Sequence, residues 1–248
     1  MSLGITAGQF TNFTFETTPE NFISGITQTS DTVVAEPNPT AQNISFNNLN
    51  EITQVSGQAF SYDANGNLLS DGARTYVWDA DNRLAGIAYA SQPGKQTHYT
   101  YDGLGRRIEI DEIPGSGGAA VVSKYIWCGA SPCQRRDASY SPTRNYFDEG
   151  EYRFDAANLA LYYGVDQIGS VRRVFSSEND APAYDYDPWG VPGQTTPFIT
   201  DFGFAKMMNS ASSGLSSTWF REYDPTSGRW ITRDPVGVVT SLNLYVRR

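Results

Sequence analysis

The segment "YDANGNLLSDGARTYVWDADNRLAGI", residues 62–87, constrains the fold of this chain most. It opens on Tyr62-Asp63, and an aromatic-Asp pair returns sixteen residues later at Trp78-Asp79. "FNNLNEIT" starts at Phe46, sixteen residues before Tyr62, and "YDGLGRRIEI" starts at Tyr101-Asp102 after an insert containing "SQPGK". Self-similarity at a fixed period marks a repeat architecture. Each unit reads as a hairpin. The aromatic ends one strand, and Asp followed by Asn or Gly reverses the chain. Asn65-Gly66 suits the left-handed φ of a tight turn. Leu68-Leu69, or the run 84–87, then starts the return strand. "ARTYVW" (73–78) alternates polar and apolar residues, as a strand with one buried face does. Hairpins of this kind extend one sheet, each touching mainly its neighbours, and strand twist curls the whole. The expected class is all-β: a curved antiparallel sheet of stacked hairpins.

Composition agrees with that class. Among 248 residues there are 13 Phe, 15 Tyr and 5 Trp, with 23 Gly and 13 Pro. Aromatics between Gly/Pro/Asn/Asp clusters are the mark of short strands and tight turns. The net charge of −9 argues against nucleic-acid or anionic-membrane partners, which need a positive field. No run of 18 apolar residues occurs, so no membrane insertion is expected, and the first 30 residues show no signal peptide. Cys128 and Cys133 flank a short turn in "WCGASPC". They either face each other as a disulfide across a hairpin or remain two free thiols. Two Cys and the distant His98 cannot supply four ligands, so no metal and no cofactor are expected. His98 alternates with aromatics in "THYTY" and reads as a strand residue.

Four regions follow along the chain. Residues 1–45 are a Thr/Asn/Pro-rich leader, extended or covering a sheet edge, with Phe10, Phe13 and Phe15 as anchors. Residues 46–112 hold the regular repeats. Residues 113–183 hold degenerate repeats and the Cys-containing hairpin. Residues 184–248 form a distinct C-terminal region. The Gly-Ser patches at 115–118 and 209–217 read as surface loops, and a short helix fits "GFAKMMNSA" (203–211).

The units at 62, 78 and 101 resemble the YD repeats of bacterial Rhs proteins. "YYGVDQIGSVRRV" (162–174) is similar to that family's Asp-His-Leu-Gly-Ser-Val-Arg element, with Gln167 in place of His. "YDYDPWG" (184–190) resembles the Tyr-Asp-Pro-aromatic-Gly turn that follows it. "FREYDPTSGRWITRDPVGVVTSLNLYV" (220–246) is similar to the Rhs repeat-associated core signature. The resemblance covers roughly residues 46–246. It implies a hollow β-shell of spiralling sheet whose C-terminal core curls inward as a plug. The shell would enclose a C-terminal toxin that the core releases by aspartic self-proteolysis. Relatives include the C subunits of insecticidal toxin complexes. A secreted or cell-surface bacterial location is implied with it.

Three Asp-Pro turns carry the candidate residues: Asp187-Pro188 with Gly190, Asp224-Pro225 with Gly228, and Asp234-Pro235 with Gly237. Asp accepts turn amides, Pro presets φ and Gly eases the exit, so a structural role suffices for all three. The resemblance places the self-cleaving carboxylate at Asp234, preceded by the matching Arg233. Aspartic proteolysis needs two carboxylates sharing a proton. The family's second Asp motif and its scissile bond would lie beyond Arg248, so no self-cleavage is expected here. The acids Asp148, Glu149 and Glu151 read as a solvated loop. The expected function is a shell and plug fragment that encapsulates a toxin, with no catalytic turnover. Its expected partners are upstream repeats or another copy through open sheet edges, and toxin cargo in the full-length parent. The alternatives are an autoprotease core centred on Asp234 and Arg233, and a carbohydrate-binding surface of exposed aromatics.

Overall fold

The structure, a computed structural model, describes residues 11–17, 19, 23–30, 42–154, 158–176, 183–193, 199–237 and 242–246. β1 (Thr11–Thr17) and β2 (Ile23–Ser30) pair antiparallel with each other. Neither joins another sheet among the described strands. Phe13 and Phe15 lie on β1, and Phe10 falls outside the described residues. β3 (Ile44–Phe46), β4 (Ile52–Val55) and β5 (Gln58–Ala59) form a three-stranded sheet. Twelve strands then follow in strict chain order within one sheet. They are β6 (Ser61–Tyr62), β7 (Leu68–Ser70), β8 (Arg74–Trp78), β9 (Leu84–Tyr89), β10 (Gln96–Tyr101), β11 (Arg107–Ile113), β12 (Val121–Cys128), β13 (Ser131–Arg136), β14 (Pro142–Phe147), β15 (Gly150–Arg153), β16 (Leu159–Val165) and β17 (Val171–Ser176). β18 (Met208–Asn209), β19 (Ser216–Ser217), β20 (Glu222–Asp224) and β21 (Arg229–Trp230) make a small fourth sheet.

One local device recurs along this meander. At Asp63, Asp79, Asp102, Asp137, Asp166 and Asp187, side-chain Oδ1 accepts the backbone N–H groups two and four residues on. Asn47 does the same with its amide oxygen. The residue three after each corner takes a positive φ: Asn50, Gly66, Asn82, Gly105, Tyr140, Gly169 and Gly190. Gly and Asn tolerate that conformation, which explains their spacing after the acid. Tyr140 shows that the corner forms without Gly or Asn at that position. Phe46, Tyr62, Trp78 and Tyr101 are each the last residue of a strand at a register shift, and they pair with Ile52, Leu68, Leu84 and Arg107 respectively. All four therefore occupy the same place on successive hairpins.

A second device ties several hairpins to earlier strands. Trp78 Nε1 donates to the Leu68 carbonyl at 2.7 Å, Tyr101 Oη to that of Leu84 at 2.9 Å and Trp127 Nε1 to that of Arg107 at 2.8 Å. Tyr186 Oη reaches the Val171 carbonyl at 3.2 Å. Each acceptor is the residue five after an earlier corner Asp, so an aromatic near the end of one strand, just before a corner at Trp78, Tyr101 and Tyr186 and at the Cys128 turn for Trp127, locks onto the strand leaving an earlier corner.

The C-terminal region packs against this sheet. Leu68, Tyr76, Leu84, Ile87 and Tyr99 from the sheet bury Leu215 and Ile231 from the C-terminal region. Leu161, Val171 and Val174 likewise meet Tyr184, Phe204, Tyr223 and Trp230. Backbone bonding continues across the join, since the Leu68 amide donates to the Ile231 carbonyl at 2.9 Å. Two expectations are corrected here. The helix over 203–211 is only a 3-10 turn at Phe204–Lys206, followed directly by β18. Ala205 and Lys206 have positive φ values, which no right-handed helix accepts. The 209–217 patch is not a surface loop: Ser213, Leu215 and Ser216 are buried. Its small residues let the backbone approach the sheet, where Arg74 Nη1 donates to the Ser213 carbonyl. Among the described residues no helix is long and apolar enough to cross a membrane.

Candidate functional site

The most strongly built feature is the junction of sheet and C-terminal region. β20 carries Glu222, Tyr223 and Asp224, all buried. Side chains alternate along a strand, so Glu222 and Asp224 share one face while Tyr223 points to the other. Tyr223 enters the apolar cluster, whereas both acids meet arginines of the sheet. Glu222 pairs with Arg107 from β11, and Ser217 Oγ also donates to it. Asp224 pairs with Arg74 from β8 at 3.2 Å, and Arg74 holds Asp71 at 2.7 Å. Further along, Arg144 pairs with Glu151, and Arg135 with Asp201 at 2.9 Å. Tyr163 Oη donates to Glu151 Oε2 at 2.7 Å. Glu151 is 2 % exposed, so it does not lie in a solvated loop. β15 places it inward, where an ionised acid persists only with partners. Burial, and then the charge of Asp201, raise its carboxyl.

Asp234 and Arg233 lie at the other end of this junction and point to different partners. Arg233 Nη2 donates to Glu51 Oε1 at 2.8 Å, and its Nε to Tyr245 Oη at 3.2 Å. Tyr245 Oη lies 2.9 Å from the Gly66 carbonyl. A Cβ on Gly66 would collide with Arg233 and Tyr245, so this glycine is required by contact as well as by its φ of +83°. Burial tends to raise the Glu51 carboxyl, but bonds from Asn47, Arg233 and Tyr245 outweigh it and hold it low. Asp234 faces Arg221 Nη2 at 3.4 Å, and its Oδ1 accepts the Val236 amide at 3.0 Å. It borders a cleft of about 430 Å³ shared with Asn65, Asn82, Arg83 and Phe220. The other carboxylate on this lining, Asp81, pairs with Arg83 at 3.2 Å. Each acid of the cleft thus faces an arginine rather than the other acid.

Asp187, Pro188 and Gly190 form one of the recurring corners, with the Gly190 amide on the Asp187 carbonyl at 3.0 Å. Asp224, Pro225 and Gly228 form a different turn, in which the Gly228 amide bonds the Pro225 carbonyl at 3.2 Å. Pro235 and Gly237 close the Asp234 turn through the Gly237 amide at 2.9 Å. Cys128 and Cys133 are joined as a disulfide at the β12–β13 hairpin. His98 is an exposed residue of β10. Among the described residues no cluster of His, Cys, Asp or Glu could hold a metal. Sequence reasoning missed Arg74, Arg107, Arg144 and Glu222. For Arg74 and Arg144 a signal was present, though not for their partners: each alternates along its strand with inward aromatics, Tyr76 and Trp78 in one case and Tyr146 in the other.

No family model matches the chain. It is 30 % identical over 214 residues to the tRNA3(Ser)-specific nuclease WapA of Bacillus spizizenii, a match covering 82 % of this chain and 9 % of that protein. It is 26 % identical to the double-stranded DNA deaminase toxin A of Burkholderia cenocepacia, over 75 % of this chain and 16 % of the relative. It is 24 % identical to toxin subunit YenC1 of Yersinia entomophaga, over 82 % of this chain and 20 % of the relative. The chain therefore spans at most a fifth of the length of these relatives. The crystal structure of TcdB2-TccC3 superimposes with a TM-score of 0.62 at 15 % identity, over 95 % of this chain and 17 % of the matched chain.

Proposed function

This chain is a relative of the Rhs-type YD-repeat toxins, and on that premise we propose that it is a stretch of shell wall with its inward-folded plug, serving to enclose a toxic segment rather than to turn over a substrate. The observation that carries the reading is the unbroken twelve-strand meander to which the C-terminal region is fixed by buried Arg–carboxylate pairs. A wall needs continuity, and a plug needs fixed attachment to it. The relatives named above include a nuclease and a deaminase, so a common wall around dissimilar cargo fits their variety. The parent protein is read as an exported bacterial toxin. Electron cryo-microscopy of the polypeptide encoded by the whole gene tests this. The expected result is a hollow particle in which residues 61–176 run unbroken through the wall. A solid particle without a lumen overturns it.

The self-cleaving reading centred on Asp234 receives less support. Arg221 stands beside that carboxylate, and the adjoining Arg233 is committed to Glu51 and Tyr245. We read Arg233 as an anchor of the plug to the repeat region and Asp234 as a bond within the plug.

A further inference from the structure

A second cleft, of about 170 Å³, opens between the β12–β13 hairpin and the C-terminal region. Its walls include Tyr125, Trp127, Pro132, Phe202, Met207 and Trp219. The rings of Trp127 and Trp219 lie 5.6 Å apart. Arg107 also lines it, with its side chain 8 % exposed. Among the described residues, Arg107 Nε and Trp219 Nε1 are buried donors with no hydrogen-bond partner. Buried donors normally find acceptors, and leaving one unmet costs more than a hydrogen bond gains.

We propose that this cleft binds the large apolar side chain of an extended polypeptide segment, with a backbone carbonyl of that segment accepting from Arg107 Nε or Trp219 Nε1. Two unmet donors lie buried in residues that line an apolar cleft, and their complement is a ligand that brings hydrocarbon and a neutral acceptor together. A peptide does so at every apolar residue. A carboxylate ligand is disfavoured because Glu222 already sits on Arg107. A sugar is disfavoured because its hydroxyls need acceptors as well as donors. Met207 and Met208 on the lining adapt to side chains of different shape. The identity of the segment as enclosed cargo rests on the function proposed above; the binding experiment does not depend on it.

The chain has 5 tryptophans, so a ¹⁵N-labelled sample gives one indole N–H signal for each. Titration with N-acetyl-leucinamide is expected to move the Trp219 signal downfield to saturation and leave those of Trp78 and Trp189 in place. N-acetyl-alaninamide should bind about fiftyfold more weakly, since it lacks three carbons of apolar contact. Ala130→Phe adds a ring at an exposed turn position on the cleft and should weaken binding about tenfold while the thermal midpoint holds. Trp219→Phe keeps the wall but removes a donor, and should weaken binding about fivefold, read at the Trp127 signal. No saturating shift, equal affinity for the two amides, or unchanged binding in both variants overturns the proposal. A hollow particle with no peptide binding would retain the enclosing wall and remove this site alone.

Discussion

At the scale of single residues, the corner acid does the work that a turn sequence alone would do less firmly. Asp79 Oδ1 holds two backbone amides, each at 2.9 Å, while Oδ2 takes Arg83 Nε at 2.7 Å. Asp79→Ala should therefore cost about 1–3 kcal/mol in urea denaturation. Asp79→Asn should cost less, because Asn47 shows that an amide oxygen builds the same corner. The charge adds a pH dependence. For Asp79, burial tends to raise the carboxyl, but the backbone and side-chain bonds of Arg83 and the Asp81 amide outweigh it and lower it. At Asp102, burial is likewise outweighed by the Arg106 side chain and by the amides of Arg106 and Leu104. A lowered folded value stabilises above the unfolded one and loses that stabilisation as pH falls through the folded value. Glu151 runs the other way: its raised carboxyl favours the fold below its unfolded value and loses that share as pH rises. Thermal midpoints measured from neutral to acid should fall below about pH 4, and Asp79→Asn should flatten that fall.

At the scale of elements, β20 decides how the C-terminal region is held. Glu222→Gln leaves Arg107 buried beside a neutral group, and urea denaturation should show a loss of about 3 kcal/mol or more. The double variant Glu222→Leu with Arg107→Met removes both charges and should recover a large part of that loss. Much of the sheet could be read from sequence, because a sixteen-residue spacing and an alternating strand at 73–78 are local signals. The corners at Asp137 and Asp166 were harder to see. Arg136 and Val165 stand before them where an aromatic marks the regular units, although the acid and the positive-φ residue keep their spacing. The partners of β20 were not legible at all. The Arg107–Glu222 and Arg74–Asp224 pairs span 115 and 150 residues, and nothing local in "FREYDP" distinguishes a buried acid from a turn former. The burial of 209–217 escaped for the same reason, since Ser and Gly look alike in a solvated loop and in a close backbone contact.

At the scale of the whole molecule, we read the chain as a wall with an attached plug, with Asp234 bonded within the plug to Arg221. Purified chain kept for days at neutral pH is expected to retain its intact mass, and Asp234→Asn should leave that mass record unchanged. Cleavage in the wild type that the variant abolishes would restore Asp234 to chemistry. The sheet has a further property at this scale. The indoles of Trp78 and Trp127 and the phenol of Tyr101 all reach backward to carbonyls laid down earlier in the chain. A polypeptide leaving the ribosome thus meets, for each of these three hairpins, a docking place that already exists. Stalled nascent chains of increasing length should gain protease resistance one hairpin at a time, as courses of brick set in the order in which they are delivered.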